Sequence, residues 1–479
     1  MAPRKTSRKK LNTETLAELG AERLASLLME LAENDATLKR RLTLEIAGPQ
    51  QVASEIRKRL GQIARSRSFV DWRRMRPLIR DLDTQREVIV GKVAPRDPQE
   101  AMVLLWRFLA LAPSLYERCD DSGGDIGDQF WMARKDMAEI APGAGLDPEA
   151  LADRVFDTAV CDNDYAQYDG LILALAPAMG EKGLARLKAR VEELAETPVP
   201  VPPKEEWEEV AWGPGGPYFA HEMAESSRKS SVRSALMDIA DAQGDVDAWI
   251  AQYDEDTRRA PGIAADIASR LLVAGRATEA LEALDAADTG KGWIPSDYTD
   301  TRLAVLETLG RGEDAQALRW REFERNLSEG HLRDYLKQLP DFDDVEAEER
   351  ALDLAMAHGS FLGALSFLIR WPALDRAARL VVDRADELDG DHYELLTPAA
   401  NTLSAGHPLA ATLILRAMVE FALNEARSKR YRHAARHLLE CESLAAQIED
   451  WGRFDSHASW LHKIKEKHKR KLGFWRHVG

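Results

Sequence analysis

Apolar residues recur at three- and four-residue spacing along most of this chain, the period of one helix face, and almost nowhere alternate with the period of a strand. The clearest run lies between Ile263 and Ile448. It reads as helix-pair units such as "SRLLVAGRATEALEALDAAD", "AVLETLGRGEDAQALRWREFE" and "LDLAMAHGSFLGALSFLIRW". Each unit has an apolar helix end, a turn residue and, five positions on, an alanine opening the next helix. The pairs are Gly275/Ala280, Gly310/Ala315, Gly359/Ala364, Gly406/Ala411 and Lys429/Ala434. Glycine suits the left-handed position after a helix, and a small residue lets the next helix approach closely. A helix from Ser456 to Leu472 follows, with Ala458, Leu461, Ile464, Leu472 and Trp475 on one stripe and Lys463, Lys465, Lys467, Lys469 and Arg470 around it. One apolar stripe under a charged surface suits a cap that has a neighbour on one side only.

Upstream, the same period predicts helices over Thr13–Leu44, Gln50–Ser66, Val70–Leu82, Pro98–Leu111, Gln129–Ile140, Pro148–Ala159, Tyr168–Ala178 and Glu181–Glu196. The segment Thr197–Phe219 breaks the pattern with six prolines and three glycines, which one helix cannot accommodate. Its Trp207 and Trp212 suggest that it lies against a surface, and Glu208–Tyr218 is a candidate hairpin. The expected fold is all-α, with an α-solenoid of degenerate tetratricopeptide- or HEAT-like helix pairs. The expected organisation is a disordered basic arm at 1–11, an N-terminal helical domain at 12–196, a Pro/Gly-rich linker at 197–219 and a C-terminal repeat domain at 220–479, capped by 456–472.

Composition narrows the class. The 479 residues are 45% hydrophobic and 30% charged, with a mean hydropathy of −0.38, enough apolar material for a large core in a water-soluble chain. The longest apolar stretch, "AMVLLWRFLALA" at Ala101–Ala112, is too short to span a bilayer and contains Arg107. The basic start "MAPRKTSRKK" has no apolar segment after it, unlike a secretory signal. Cys119, Cys161 and Cys441 are far apart in sequence, as expected of reduced thiols in a cytoplasm. Net charge is −16, but residues 1–135 carry +6 and 463–479 another +6, leaving −28 on 136–462. The densest basic patch contains Arg57, Lys58, Arg59, Arg65, Arg67, Arg73 and Arg74, a candidate surface for nucleic acid or another anionic partner.

Two further stretches offer chemistry. The loop "CDDSGGDIGD" holds Asp120, Asp121, Ser122 and Asp125. Its Asp-Ser-Gly-Gly resembles the nucleophile stretch of trypsin-like proteases, but a helical chain with Asp120 in place of glycine does not support that chemistry. A calcium loop would need Glu where this chain has Trp131 or Met132. The remaining alternatives are a functional loop and a turn whose Asp and Ser cap the next helix. His433, His437 and Cys441 lie at i, i+4 and i+8. Three ligands on one straight helix cannot converge on one ion, and the apolar arc of Ala434, Leu438, Leu444, Ala445 and Ile448 favours core positions instead. There is no phosphate-binding glycine loop, dinucleotide fingerprint or HExxH, and no catalytic constellation. No metal or other cofactor is expected, and no membrane partner.

The closing stretch "YRHAARHLLECESLAAQIEDWGRFDSHASWLHKIKEKHKRKLGFW" resembles the end of an uncharacterised bacterial helical-repeat family frequent in alphaproteobacteria. The pattern is met at Ser456, His457, His468, Arg470, Lys471, Gly473, Phe474 and Trp475. "DDSGG" and "SFVDWRR" at Ser68–Arg74 look like further marks of that family. The family also resembles the helical regions of SWIM zinc-finger proteins, but this chain lacks the Cys-x-Cys and Cys-x-His pairs of the finger, so metal and DNA binding do not carry over. The resemblance implies an α-solenoid without assigned activity. The expected function is a non-enzymatic cytoplasmic scaffold or adaptor for a protein or peptide partner, the alternative being a nucleic-acid-associated protein using the basic N-terminal helices and the C-terminal basic helix.

Overall fold

The computed structural model describes residues 11–46, 49–290 and 294–478. Of the basic arm at 1–11, only Leu11 falls among the described residues. Among these residues the protein is mostly helical, 73% helix against 2% strand. It divides into two units, one ending at Arg259 and the other starting at Ala260. The proline-rich segment therefore falls inside the first unit.

In the first unit, the long helix expected over Thr13–Leu44 is three helices, Thr13–Ala17, Ala21–Asn34 and Ala36–Ile46. Gly20 takes φ of 78°, and Asp35 leaves the helical region to accept from the Leu38 N–H at 3.0 Å. Helices Pro49–Arg65, Trp72–Val88, Pro98–Leu109, Asp125–Ile140 and Pro148–Val155 follow. Their starts are capped as their sequences suggest. Asp71, Asp97 and Asp147 each accept from first-turn N–H groups, and Pro98 and Pro148 open their helices. The apolar stretch at 101–112 is the core helix of this unit, with Leu104, Leu105, Phe108 and Leu109 all at 0% exposure. Leu171–Glu196 is broken at Gly180 (φ 56°, ψ −168°), giving the two helices its pattern predicts.

The segment after Thr197 is tied down. The Val199 N–H donates to Glu225 at 3.1 Å, and the Trp207 indole donates to the Pro202 carbonyl at 3.0 Å while its ring sits 4.8 Å from Phe219. The hairpin exists as strand β1, Glu209–Gly213, antiparallel to β2, Gly216–Phe219, with a bulge between Glu209 and Ala211. Its tip is close-packed: a Cβ on Gly213 would meet the Tyr218 ring at 2.5 Å. Helix Ala220–Gln243 then packs on Leu171–Glu196.

In the second unit, most helices pack on their sequence neighbours, while Leu374–Asp383 packs on Pro408–Asn424 and Leu472–Val478 packs back on Tyr431–Ala445. The alanines expected at helix starts are all buried: Ala280, Ala315, Ala364 and Ala411 at 0% exposure and Ala434 at 3%. The turn glycines divide. Gly275 and Gly310 take positive φ, whereas Gly359 and Gly406 do not, and near Lys429 the left-handed residue is Ala426. One apolar core runs from Phe323 to Leu444, and a second gathers Val419, Tyr431, Leu438, Trp460, Ile464 and Phe474.

The C-terminal helix is shorter than expected, His457–His468, and a further helix, Leu472–Val478, follows it. Ser456 caps the first by accepting from the Ser459 N–H at 3.3 Å. Its inward face is Trp460, Ile464 and His468, one residue of each turn. Of the predicted stripe, Ile464 is buried and Leu461 and Trp475 pack against the same core, whereas Leu472 is 63% exposed and Ala458 is exposed. Phe474, fully buried against Tyr431, does the work assigned to Leu472.

Candidate functional site

The first unit holds a polar cleft of about 1040 Å3. One wall is the turn at Ala159–Cys161 and the loop through Gly170; the other is helix Ala220–Gln243; the strap Pro198–Pro200 crosses one end. The helix presents Ser227, Ser231, Ser234 and Asp238 at i, i+4, i+7 and i+11, one polar face at helical period, with Ser230 beside it. Val232, Ala235 and Ile239 of the same helix enter the core.

The facing loop is held by its own side chains and by Arg134 of helix Asp125–Ile140. Asn163 donates to Asp169 at 2.7 Å and accepts from the Tyr168 N–H at 2.8 Å. Gln167 donates to the Asp162 carbonyl at 3.0 Å, and Arg134 donates to the carbonyls of Ala166 and Gln167 at 3.1 and 3.0 Å. Ala166 carries φ of 58°, a left-handed conformation costly for a residue with a Cβ and kept only where surroundings impose it. At the strap, Arg228 donates twice to Glu225 and also to the Leu194 and Ala195 carbonyls at the end of Leu171–Glu196. With the Val199 N–H, Arg228 holds the Glu225 carboxyl down to about 2. Asp238 is the opposite case. Burial, with Asp241 and Asp169 nearby, pushes its carboxyl up to about 6, and no cation among the described residues is paired with it.

The basic patch divides. Arg57 pairs with Glu100, Lys58 with Glu55 at 2.7 Å, and Arg59 with the buried Asp81. Of these, only Arg59 reaches a buried partner; Lys58 is exposed and pairs within its own helix. Arg65, Arg67, Arg73 and Arg74 are exposed, around Phe69 and Trp72 at 65% and 68% exposure. The Arg73 guanidinium lies 5.0 Å from the Trp72 ring centre.

The aspartate loop is brought beside this edge. Val70 and Cys119 form a parallel bridge, in which the Val70 N–H donates to the Arg118 carbonyl at 2.8 Å and the Asp120 N–H to the Val70 carbonyl at 3.3 Å. Arg118 reinforces it by donating to the carbonyls of Ser68 and Ile63. Within the loop, Asp121 accepts from the Ile126 N–H at 2.9 Å, Asp120 accepts from Ser122, and Gly124 takes φ of 78°, which starts helix Asp125–Ile140. The turn-and-cap alternative accounts for these bonds.

In the second unit, His437 is buried with Nδ1 3.2 Å from Glu440, and burial lowers its pKa. Burial pushes the Cys441 thiol up to about 12, so it behaves as a small apolar group. Among the described residues, no three His, Cys, Asp or Glu are grouped to hold a metal ion, and no helix is long and apolar enough to cross a membrane. On the C-terminal basic face, Lys463 pairs with Asp455 at 2.5 Å.

The cleft escaped the sequence reading because serine and aspartate on a helix look like a solvated face. The available signal was "ESSRKSSVRSALMD", five serines, four of them lining the cleft, inside a helix that they disfavour.

These features define a mostly helical protein with an open polar cleft and a separate arginine–aromatic edge. The chain belongs to the family of unknown function (DUF6880), whose model matches residues 6–477. No curated protein matches it.

Proposed function

We propose that the chain is a non-enzymatic, cytoplasmic scaffold or adaptor of helical-repeat type. Its ligand is an extended protein segment carrying a lysine or arginine, bound in the cleft between the Cys161–Gly170 loop and helix Ala220–Gln243. The observation that carries this reading is Asp238, a half-buried carboxylate lining the cleft with no paired cation among the described residues. A cationic side chain entering from the cleft would supply the missing charge, while the serine row would meet the peptide backbone with hydroxyls. The fixed loop opposite keeps the ordering cost of binding low. The test compares partners pulled from native cells by the full chain with those held by Asp238→Lys and Ser231→Trp, each checked for a native far-UV spectrum and cooperative melting. Loss of one set of proteins in both variants is expected; retention of that set would overturn the assignment of the cleft.

A second reading rests on a different observation, the exposed Phe69 and Trp72 among Arg65, Arg67, Arg73 and Arg74. Aromatic faces beside cations suit stacked bases of single-stranded nucleic acid. A labelled oligonucleotide at low salt should bind with strong salt dependence and lose affinity in Trp72→Ala and in Arg73→Glu/Arg74→Glu. Absence of binding at low salt would retire this reading.

A further inference from the structure

We propose that the second unit carries a binding site for a small amphipathic anion, an apolar body bearing a phosphate or carboxylate head, in the cavity between helices Tyr393–Leu403, Pro408–Asn424 and Tyr431–Ala445. The cavity measures about 460 Å3, within the roughly 300–1,000 Å3 typical of small-molecule sites. Burial separates its floor from its rim. Met418, Ala422 and Ala434 are 4%, 2% and 3% exposed, and His437 lies among them at 5%. The rim is polar and open, with Lys429, His433 and Arg436 exposed and Arg430 half-buried.

The charge is unusual for its place. Lys429, Arg430 and Arg436 line the cavity with two histidines, and the one lining carboxylate is Glu394. Yet this stretch belongs to residues 136–462, which carry −28 in all. Part of the polar set is already positioned. Arg430 donates to Asp391 at 2.7 Å and lies 4.5 Å from the Tyr393 ring centre, and His437 is held by Glu440. Lys429 and His433 have no hydrogen-bond or ion-pair partner among the described residues. A cationic rim over a largely apolar floor selects a ligand with both an oxyanion and an apolar part; either part alone leaves half the cavity unused. The histidine pair that looks like a metal ladder in sequence thus opens on an anion-binding cavity, one histidine at the rim and one in the floor.

The test uses the full chain, with hexyl phosphate and hexanoate as probes and inorganic phosphate and hexanol as controls. Calorimetric titration should give saturable binding of at least one probe, with a concentration-dependent rise in melting temperature. His433→Glu/Arg436→Glu, both at exposed rim positions, should weaken that probe by about tenfold or more. The double variant should melt like the parent without ligand, and Asp238→Lys in the first unit should bind the probe normally. Failure of both probes to bind, undiminished binding in the double variant, or equal binding of hexanol or inorganic phosphate would each overturn the proposal. None of these results bears on the cleft of the first unit.

Discussion

The guanidinium carbon of Arg416 lies 4.8 Å from the ring centre of Trp460. Trp451 covers it on another side at 4.6 Å, and its Nη1 donates to the Asp455 carbonyl at 2.8 Å. The Trp460 indole in turn donates to Glu420, one helical turn beyond Arg416. One side chain, 5% exposed, therefore fastens the segment between Trp451 and Trp460 to helix Pro408–Asn424. Burial pulls its pKa down, and its Nε and Nη2 have no hydrogen-bond partner among the described residues.

Arg416→Ala should therefore lower stability by about 2–4 kcal/mol, through lost packing and lost cation–π contact. Arg416→Met should cost less, because a thioether fills the space between the indoles without leaving buried N–H groups unpaired. Denaturant unfolding of the two variants decides. Equal losses would show that the charge, not the packing, is what matters.

Asp238 gives a pH prediction. Its folded carboxyl is raised to about 6 from an ordinary 3.8. The folded state thus holds the proton more tightly than the unfolded state. The resulting stability is fully present at the acid end, below the unfolded value, and is lost as pH rises from about 4 to 6. Above that window the buried charge is a net cost. Asp238→Asn should raise the melting temperature at pH 7–8 and change it little near pH 4. A gain of equal size at both pH values would refute the assignment.

The C-terminal cap can be tested by one residue. Phe474 is fully buried between Tyr431, 5.9 Å away centre to centre, and Trp475 at 4.9 Å. Phe474→Ala should cost about 3–5 kcal/mol. Removing residues 456–479 should expose the face of Val419, Ala434 and Leu438 and increase binding of dyes that report apolar surface. Truncation without change in melting or dye binding would make the segment a loose tail.

The two halves of the basic patch should behave differently. Arg59→Glu removes the Arg59 ion pair from Asp81, 2% exposed, sets a second carboxylate beside it, and should cost about 3 kcal/mol or more. Arg74→Glu, on an exposed side chain, should stay within about 0.5 kcal/mol. Chemical denaturation of both variants measures this. A stable Arg59→Glu protein would mean that Asp81 is satisfied by other groups.

Much of the helical plan was legible because the sequence marks its own boundaries. Asp97-Pro98 and Asp147-Pro148 announce helix starts, and the alanine five positions after each turn residue reports a tight crossing that the structure confirms by burial. What was hidden depends on partners distant in sequence. Nothing local distinguishes Arg57, held by Glu100, from Arg74, which is exposed. Helical register near a terminus was equally hard to read. Leu472 and Trp460 both look like core residues, and only the place where the helix stops after His468 decides that Trp460 and Phe474 go in while Leu472 stays out. The serine face of Ala220–Gln243 was the largest omission, because a polar stripe meets a cleft and open solvent with the same residues.

The bridge between Val70 and Cys119 has a kinetic consequence. The amides of Val70 and Asp120 are bonded across one rung pair, so neither can meet solvent until the two strands of the bridge part. The arginine–aromatic edge and the aspartate turn, fifty residues apart in sequence, therefore open as a single cooperative event. In deuterium labelling the two amides should exchange at a common rate, and a ligand that slows one should slow the other equally.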